Sequence, residues 1–320
     1  MADLAEPADL GKMAPLPPGL DVLARSSPSL RALYQQADRA AKSSAPVLIL
    51  GEPGTGRSAL ARGIHAAGER SEANLVEVDA AAVPASLFES EFFGHRAGAF
   101  TGAETASEGR VGWASGGTLL LDHVEEIPLA VQAKLLRLLS DGRYVPLGGG
   151  ERVADVRFFA IGSHELAQRV RNGSFREDLY YRLEVVTLVI PPLRERRDDL
   201  EPLIEFFLAD LAERFGKGRL KLGERAWAWM TKYSWPGNLR ELRNVLEREV
   251  VLVGTAKGSP TLNPGPPVGS IEVPRSLVEM EREQIQRALA FTRGHQGRAA
   301  EVLGISRKAL WEKRKRYELP

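Results

Sequence analysis

A glycine-rich turn between an apolar run and a helical pattern is the first feature of this sequence that could perform chemistry. Residues 51–58 read Gly-Glu-Pro-Gly-Thr-Gly-Arg-Ser and follow the apolar run 46–50. The backbone N–H groups of such a turn, with a helix N-terminus behind them, form a cradle for phosphate. The pattern predicts a nucleotide site rather than a purely structural turn, with these phosphate-binding residues: Gly51, Glu52, Pro53, Gly54, Thr55, Gly56, Arg57 and Ser58.

A carboxylate at the end of a later apolar run completes the predicted site. Asp122 ends the Leu-rich segment 117–122, and the hydroxyl of Ser58 opens the helix after the turn. In phosphate-loop enzymes these two groups hold Mg²⁺, the hydroxyl directly and the carboxylate through the metal's water shell. We therefore expect a bound nucleotide and Mg²⁺, with Ser58 and Asp122 as the metal-binding residues.

The elements that must position these residues alternate between strands and helices. Apolar runs predict strands over 46–50, 75–78, 117–122, 156–161 and 185–190, so that 21–193 reads as a parallel α/β sheet. Beyond Pro191 and Pro192 the spacing becomes helical, over 199–214, 223–232 and 238–253. The resulting predicted division is a disordered tail at 1–20, the α/β core at 21–193, a helical segment at 194–256, a Gly- and Pro-rich linker at 257–274 and a helical domain at 275–320.

The hexapeptide Gly-Ala-Phe-Thr-Gly-Ala at 98–103 is a second candidate site. Glycines on both sides of one Phe-Thr pair are typical of a flexible hairpin tip, because glycine accepts backbone angles that other residues avoid. An aromatic ring exposed on such a tip is unfavourable in water unless it binds a partner. An ordinary surface turn is the alternative. The predicted partner contacts are Gly98, Ala99, Phe100, Thr101, Gly102 and Ala103.

The C-terminal end is basic and helical. Between 306 and 320 six Lys or Arg residues stand against two Glu, the charge pattern of a contact with a phosphate backbone. A helix over 276–291, a short helix over 297–303, a glycine turn and a helix capped by Ser306 give helix-turn-helix spacing, with Leu310 in the core. A three-helix bundle used for dimerisation is the alternative. The predicted DNA contacts are Arg298, Ser306, Arg307, Lys308, Trp311, Lys313, Arg314 and Arg316.

Together these motifs resemble the sigma-54-dependent transcriptional activators over roughly 21–320. The resemblance rests on 93–103, on Phe-Arg-Glu-Asp-Leu-Tyr-Tyr-Arg-Leu at 175–183, on Trp-Pro-Gly-Asn-Leu-Arg-Glu-Leu at 235–242 and on the C-terminal module. It implies an AAA+ P-loop NTPase with a parallel sheet and a helical lid, followed by an all-α Fis-like helix-turn-helix domain. It further implies a ring that binds ATP between subunits and contacts the sigma-54 factor of RNA polymerase through 98–103. The helix-turn-helix domains would pair on palindromic double-stranded DNA.

The resemblance also assigns roles to three arginines. Arg176 and Arg182 match residues that enter the neighbouring subunit's site and neutralise charge on the transferring phosphoryl group. Arg240 matches the lid residue that reads the γ-phosphate. A surface or ion-paired arginine is the alternative for each.

Three residues depart from the pattern of the family. Arg57 stands where the family has a lysine, His123 where it has the glutamate that orients the attacking water, and Ser163 where it has a sensing asparagine. A fourth residue, Asp79, replaces an asparagine, which is a milder change. A broad guanidinium does not hold phosphates in the pose of a compact ammonium, and neutral imidazole brings no negative charge to the water. Whether ATP is hydrolysed or only bound stays open. The candidate catalytic residues are Asp122, His123, Arg176 and Arg182.

Two hypotheses for the function follow. In the first, the chain is a sigma-54 regulator that hydrolyses ATP poorly yet completes active sites on an intact paralogue in a mixed ring. If Glu125 or Glu126 reaches the attacking water, the chain would instead be a slow ATPase in a ring of identical subunits. In the second, the chain is a DNA-bound scaffold that does not hydrolyse ATP. A metabolic P-loop kinase explains neither 98–103 nor the C-terminal module.

The composition and patterning of the sequence exclude several other kinds of site and classes of protein. The sequence has no cysteine, which excludes disulfides and thiolate metal sites. The first 20 residues lack the pattern of a signal peptide and are too few for a regulatory domain, and no stretch approaches the 18 apolar residues of a membrane span. We therefore expect a cytoplasmic protein. The net charge of +1 indicates nothing about nucleic acid.

Overall fold

The computed structural model describes residues 28–252 and then, with gaps, 261–262, 264–265, 281, 284–285, 288–289, 292 and 295–317. The predicted tail at 1–20 and most of the predicted linker at 257–274 lie outside the described residues. The chain divides into two compact units, with the boundary after Pro266.

A five-stranded parallel sheet forms the centre of the first unit. Its strands lie in the order β2-β3-β6-β1-β7, and every neighbouring pair is parallel. This confirms the predicted sheet, since each strand begins and ends within one residue of its predicted bounds. The strands are β1 (Val47–Gly51), β2 (Leu75–Asp79), β3 (Thr118–Asp122), β6 (Arg157–Gly162) and β7 (Val186–Ile190).

Helices cover both faces of this sheet. Successive strand residues point to opposite faces, so Ile49 packs in one apolar cluster and Leu48 in the other. The Ile49 face is covered by the first two helices and the lid, and the Leu48 face by the remaining core helices. The core helices are α1 (Pro28–Ala41), α2 (Arg57–Ala66), α3 (Ala85–Phe93), α4 (Gly109–Trp113), α5 (Leu129–Asp141), α6 (Leu166–Arg171) and α7 (Glu177–Leu183), with a hairpin of β4 (Arg143–Tyr144) and β5 (Arg152–Val153) after α5.

The lid follows β7 in the same unit. It consists of α8 (Leu200–Arg214), β8 (Lys221–Leu222), α9 (Glu224–Met230) and α10 (Asn238–Leu252), introduced by two short 3-10 turns. The strand β9 (Thr261–Leu262) pairs with β8, so part of the predicted linker is a strand of this unit. The reason is the side chain of Leu262, which is fully buried in the lid core.

The second unit contains α11 (Gln296–Val302) and α12 (Arg307–Arg316). The described positions between 281 and 289 are helical, in agreement with the helix predicted over 276–291, whose other residues lie outside the described part. Ala299, Ala300 and Leu310 are buried in a small core. Within the residues that the structure describes, no helix has both the length and the apolar character needed to cross a membrane.

Candidate functional site

The glycine-rich turn lies at the carboxyl edge of the sheet, where Asp79, Asp122 and Gly162 also end their strands. Gly56 takes a left-handed conformation (φ 105°) and begins α2 without a side-chain cap. The first N–H groups of α2 have no intrahelical acceptor, so they are available to an anion. The turn therefore has the backbone arrangement of a phosphate cradle.

The two predicted metal-binding residues meet at this edge. The Ser58 hydroxyl donates to Asp122 Oδ2 at 3.2 Å. Across the described residues there is no cluster of three or more His, Cys, Asp or Glu side chains that could hold a metal ion. One hydroxyl and one carboxylate fit Mg²⁺ when the remaining oxygen ligands come from phosphates and water.

Arg57 directs its side chain toward the carboxyl ends of two strands of the sheet. Its side chain is buried, with 7% of the residue exposed. One nitrogen, Nη1, donates to the carbonyl oxygen of Gly51 at 2.9 Å and to that of Gly162 at 2.8 Å. The guanidinium thus joins the ends of β1 and β6, and its charge strengthens both hydrogen bonds.

His123 is held by Asp79. Its Nδ1 lies 2.9 Å from Asp79 Oδ1, a contact with a carboxylate oxygen that places the proton on Nδ1. The backbone N–H of His123 donates to Asp122 Oδ1 at 2.9 Å, and the residue is left-handed (φ 53°). The imidazole therefore hydrogen-bonds to Asp79, with Asp122 Oδ1 3.6 Å from the same nitrogen, and brings no carboxylate of its own.

The nearby glutamates and Ser163 are engaged within the fold. Glu125 is buried and its Oε1 accepts from the backbone N–H of Ser163 at 3.1 Å, while Oε2 has no hydrogen-bond partner in the described part of the chain. The Ser163 hydroxyl accepts from the N–H of Glu165 at 3.2 Å, and Glu126 pairs with Arg169. Glu126 is therefore engaged by an ion pair, whereas Glu125 keeps one buried carboxylate oxygen unpaired.

A set of lid contacts clamps the glycine-rich turn. Arg194 binds Glu52 with both terminal nitrogens, at 2.6 and 2.8 Å, and lowers the pKa of this carboxyl below its usual value, chiefly through these hydrogen bonds. Asn238 Nδ2 also donates to Glu52, at 3.1 Å. A side chain at Gly54 would bring Cβ within 2.4 Å of the Gly237 carbonyl oxygen, so only glycine allows this approach.

The sequence reasoning missed Arg194 and Asn238 as site residues. Arg196, which donates to the Thr55 carbonyl oxygen at 3.2 Å and is buried, was missed as well. The signal that could have found the two arginines is the cluster Leu-Arg-Glu-Arg at 193–196, where arginines follow an apolar strand.

The three arginines assigned by resemblance are all exposed. Arg240 lies in the first turn of α10, and a Cβ at Gly54 would be 3.2 Å from Arg240 Cβ, so this helix turn faces the phosphate cradle. Arg176 binds Asp178 through Nε and Nη2 at 3.0 and 2.8 Å. Arg182 donates to the Leu139 carbonyl oxygen at 3.3 and 3.4 Å.

Residues 98–103 form a tight turn at the tip of a loop that is closed by an antiparallel bridge between His95 and Ser107. The N–H of Gly98 donates to the Ala103 carbonyl oxygen at 2.7 Å, and both glycines are left-handed. Phe100 is 40% exposed and its ring meets His95 edge-to-face at 5.1 Å. Ala103 is buried and forms the base of the turn, so its side chain is not on the surface that a partner would meet.

The second unit has the geometry of a helix-turn-helix. Gly304 is left-handed (φ 66°), and the Ser306 hydroxyl caps α12 by accepting from the N–H of Ala309 at 3.1 Å. Exposed Lys308 and Trp311 lie on α12, where Lys315 Nζ stands 5.5 Å from the centre of the Trp311 ring.

The other predicted DNA contacts differ in their surroundings. Arg298 and Arg307 are both exposed, and the guanidinium of Arg307 lies over Gly297, so close that a Cβ there would be 2.8 Å from Nη2. Lys313 pairs with Glu281, and Arg314 is partly buried. The side chain of Arg316 lies outside the described part.

Comparison with known proteins agrees with this arrangement. The family described as Sigma-54 interaction domain matches residues 23–189, the AAA+ ATPase lid domain 194–260, and the Fis family of bacterial regulatory proteins 276–317. Regulatory protein AtoC of Escherichia coli is 39% identical over 307 residues, covering 91% of this chain and 67% of AtoC. The DNA-binding transcriptional regulator NtrC of Bradyrhizobium is 37% identical over 348 residues, covering 97% of this chain and 71% of NtrC. The crystal structure of NtrX from Brucella abortus in complex with ATP superposes with a TM-score of 0.70 at 32% identity, covering 92% of this chain and 69% of NtrX.

Proposed function

Because this chain belongs to the sigma-54-dependent transcriptional activators, we propose that it is a DNA-binding regulator that binds ATP, hydrolyses it poorly in its own site and completes the site of a neighbouring subunit. The family match and the helix-turn-helix geometry support its action on sigma-54 RNA polymerase from a DNA site. Residues 98–102 are the proposed contact with the sigma factor, with the exposed ring of Phe100 as its centre.

The position of Arg57 is the observation that carries the proposal. Both hydrogen bonds of its Nη1 go to carbonyl oxygens of the protein, at 2.9 and 2.8 Å. While it keeps these bonds, the guanidinium has only Nε and Nη2 to offer a phosphate, and moving to reach one with Nη1 would leave two carbonyl oxygens without this donor, which is unfavourable in a buried site. The N–H groups of the glycine-rich turn still bind the phosphates, so binding of ATP survives better than its hydrolysis.

The pairing of His123 with Asp79 supports weak hydrolysis independently. The imidazole of His123 is held by Asp79, Glu126 is paired with Arg169, and one oxygen of Glu125 accepts from the Ser163 N–H. When ATP and Mg²⁺ are bound, Ser58 and Asp122 supply oxygen ligands. What this subunit lacks is a carboxylate at position 123 to orient the water, and Glu125 Oε2, which is unpaired in the described part of the chain, is buried.

The residues proposed to act on a neighbour have kept their chemistry. Arg176 and Arg182 are exposed, and their present partners are an exposed carboxylate and a backbone carbonyl. Both partners can be exchanged for phosphate at small cost, because exposed ion pairs are weak. A subunit of this kind is suited to a mixed ring with a paralogue that has an intact site.

Mixing tests this function. The Arg57→Lys, His123→Glu, Arg176→Ala, Arg182→Ala variant of this chain serves as a subunit with a repaired site and without trans-acting arginines. Adding the native chain should restore ATP turnover, whereas adding Arg176→Ala, Arg182→Ala should not. Arg171→Ala, which removes another exposed arginine, is the matched control and should restore turnover like the native chain. No restoration by the native chain would refute the mixed-ring role.

The DNA-bound scaffold is the second candidate, favoured by the changes at positions 57, 123 and 163. It predicts that Thr101→Ala leaves regulation by this chain unchanged, because a scaffold does not use residues 98–102 to drive promoter opening. Loss of promoter activation in Thr101→Ala, with normal DNA binding, would exclude the scaffold.

A further inference from the structure

Gln132 is a fully buried polar side chain between the candidate site and Arg176. It lies on α5 with 0% of its surface exposed. Its Nε2 donates to the carbonyl oxygens of Ile127 at 2.9 Å and Ser174 at 3.3 Å, and its Oε1 accepts from the backbone N–H of Arg176 at 2.8 Å. Both donors and one acceptor position of the amide are used, so this one side chain joins two segments.

The two segments have different roles in the proposed function. Ile127 ends the short turn that follows Asp122 and His123, and Glu125 in that turn accepts from the Ser163 N–H. Arg176 is the N-cap of α7, with an extended backbone (φ −70°, ψ 132°). A continuous set of contacts therefore runs from a subunit's own nucleotide edge to the arginine that it offers to its neighbour.

We infer that Gln132 is a positioning residue that fixes Arg176 for action on the neighbouring subunit and moves it together with the turn after His123. This inference rests on the proposed trans role of Arg176. Hydrogen bonds that hold a functional group from behind keep it within a fraction of an ångström of its working position. Without them the backbone from which the guanidinium extends is free to shift.

Two substitutions of buried polar groups separate positioning from ordinary stability. Gln132→Met keeps the length of the side chain and removes all three hydrogen bonds. Thr118→Val is the matched control, since Thr118 is equally buried and its hydroxyl pairs with His65 Nδ1 at 3.0 Å, away from Arg176. Both variants are expected to fold with lowered unfolding temperatures.

Hydrogen exchange of the full chain, followed by mass spectrometry on the peptide 173–180, tests the inference without ATP turnover. Gln132→Met should speed exchange at the Arg176 amide at least tenfold, whereas Thr118→Val should leave it unchanged. His123→Ala should change the exchange of this peptide in the Thr118→Val background and should not change it in the Gln132→Met background. An equal response to His123→Ala in both backgrounds would overturn the inference.

The mixing experiment gives the functional readout. Added to the repaired subunit that lacks Arg176 and Arg182, Gln132→Met should support a turnover number at least tenfold below that of Thr118→Val, with KM for ATP unchanged. Equal turnover with the two variants would also overturn the inference. If the native chain supports no turnover at all, the proposed trans role fails, and the exchange experiment alone decides whether Gln132 couples the two segments.

Discussion

Replacing Arg57 by lysine should destabilise the apo protein and at the same time make it respond more strongly to ATP. Arg57 is buried and makes two hydrogen bonds from a charged nitrogen to the ends of β1 and β6. A hydrogen bond of this kind contributes about 1.5–3 kcal/mol. The shorter, single-headed lysine keeps one bond at most, so the expected loss is about 2 kcal/mol.

The loss converts into a measurable shift. In a domain of this size 1 kcal/mol corresponds to roughly 2–4 °C, so the unfolding temperature should fall by about 4–8 °C. A lysine that reaches the phosphates should tighten ATP binding, and a ligand at one hundred times its Kd stabilises the native state by about 2.7 kcal/mol. With ATP and Mg²⁺ at that concentration the variant should therefore regain the whole of the stability that it lost, whereas the native chain should gain less.

Differential scanning calorimetry with and without ATP measures both effects. Arg62→Lys is the matched control, because Arg62 lies on the same helix, is exposed and pairs with Glu77 at the surface. Such a surface pair contributes about 1 kcal/mol or less, so this variant should behave nearly as the native chain does. If Arg57→Lys unfolds at the same temperature as Arg62→Lys in the absence of ATP, the reasoning about the buried guanidinium is refuted.

Three further predictions concern the lid, the 98–103 turn and the DNA-binding unit. Arg194 holds the pKa of Glu52 below its usual value of 4.5, so this pair stabilises the fold above that pH, and the contribution is lost as the pH falls through the lower pKa of the folded state. The unfolding temperature should therefore drop more steeply on acidification below pH 5 for the native chain than for Glu52→Gln. Parallel curves of unfolding temperature against pH would contradict this. Phe100→Ala should leave the free energy of unfolding within about 1 kcal/mol of native, since the residue is 40% exposed, yet abolish binding of the sigma factor in a pull-down. Retained binding would count against the proposed contact. Lys308→Ala should weaken DNA binding equally for all DNA sequences and reduce the slope of log K against log salt concentration by about 1. Lys313→Ala, which breaks the pair with Glu281, should mainly lower the unfolding temperature of that unit. The reverse pattern would show that the two lysines were assigned wrongly.

The strands and the edge of the sheet could be predicted from the sequence because their signals are local. Each strand is an apolar run, and Gly51 and Asp122 mark the ends of two of them. Parallel strands bring such ends to one edge, so the meeting of Ser58 with Asp122 follows from the pattern alone. The turn of the C-terminal unit was predictable for the same reason, since Gly304 and Ser306 act on their immediate neighbours.

The direction of the side chains could not be predicted, because it depends on partners far along the chain. Arg57 finds the Gly162 carbonyl oxygen 105 residues away, and Glu52 finds Arg194 142 residues away. Gln132 occupies a buried position in an otherwise ordinary amphipathic helix, and only the fold brings Arg176 to it. Spacing in sequence carries no information about such pairs.

ATP turnover by the purified chain, at concentrations high enough for ring assembly, is the most direct test of the central claim. It should be compared with turnover by Arg57→Lys, His123→Glu. We predict little or no turnover by the native chain and clear turnover by the double variant, since the Ser58–Asp122 pair and the exposed arginines are in place. Turnover by the native chain equal to that of the double variant would contradict the account.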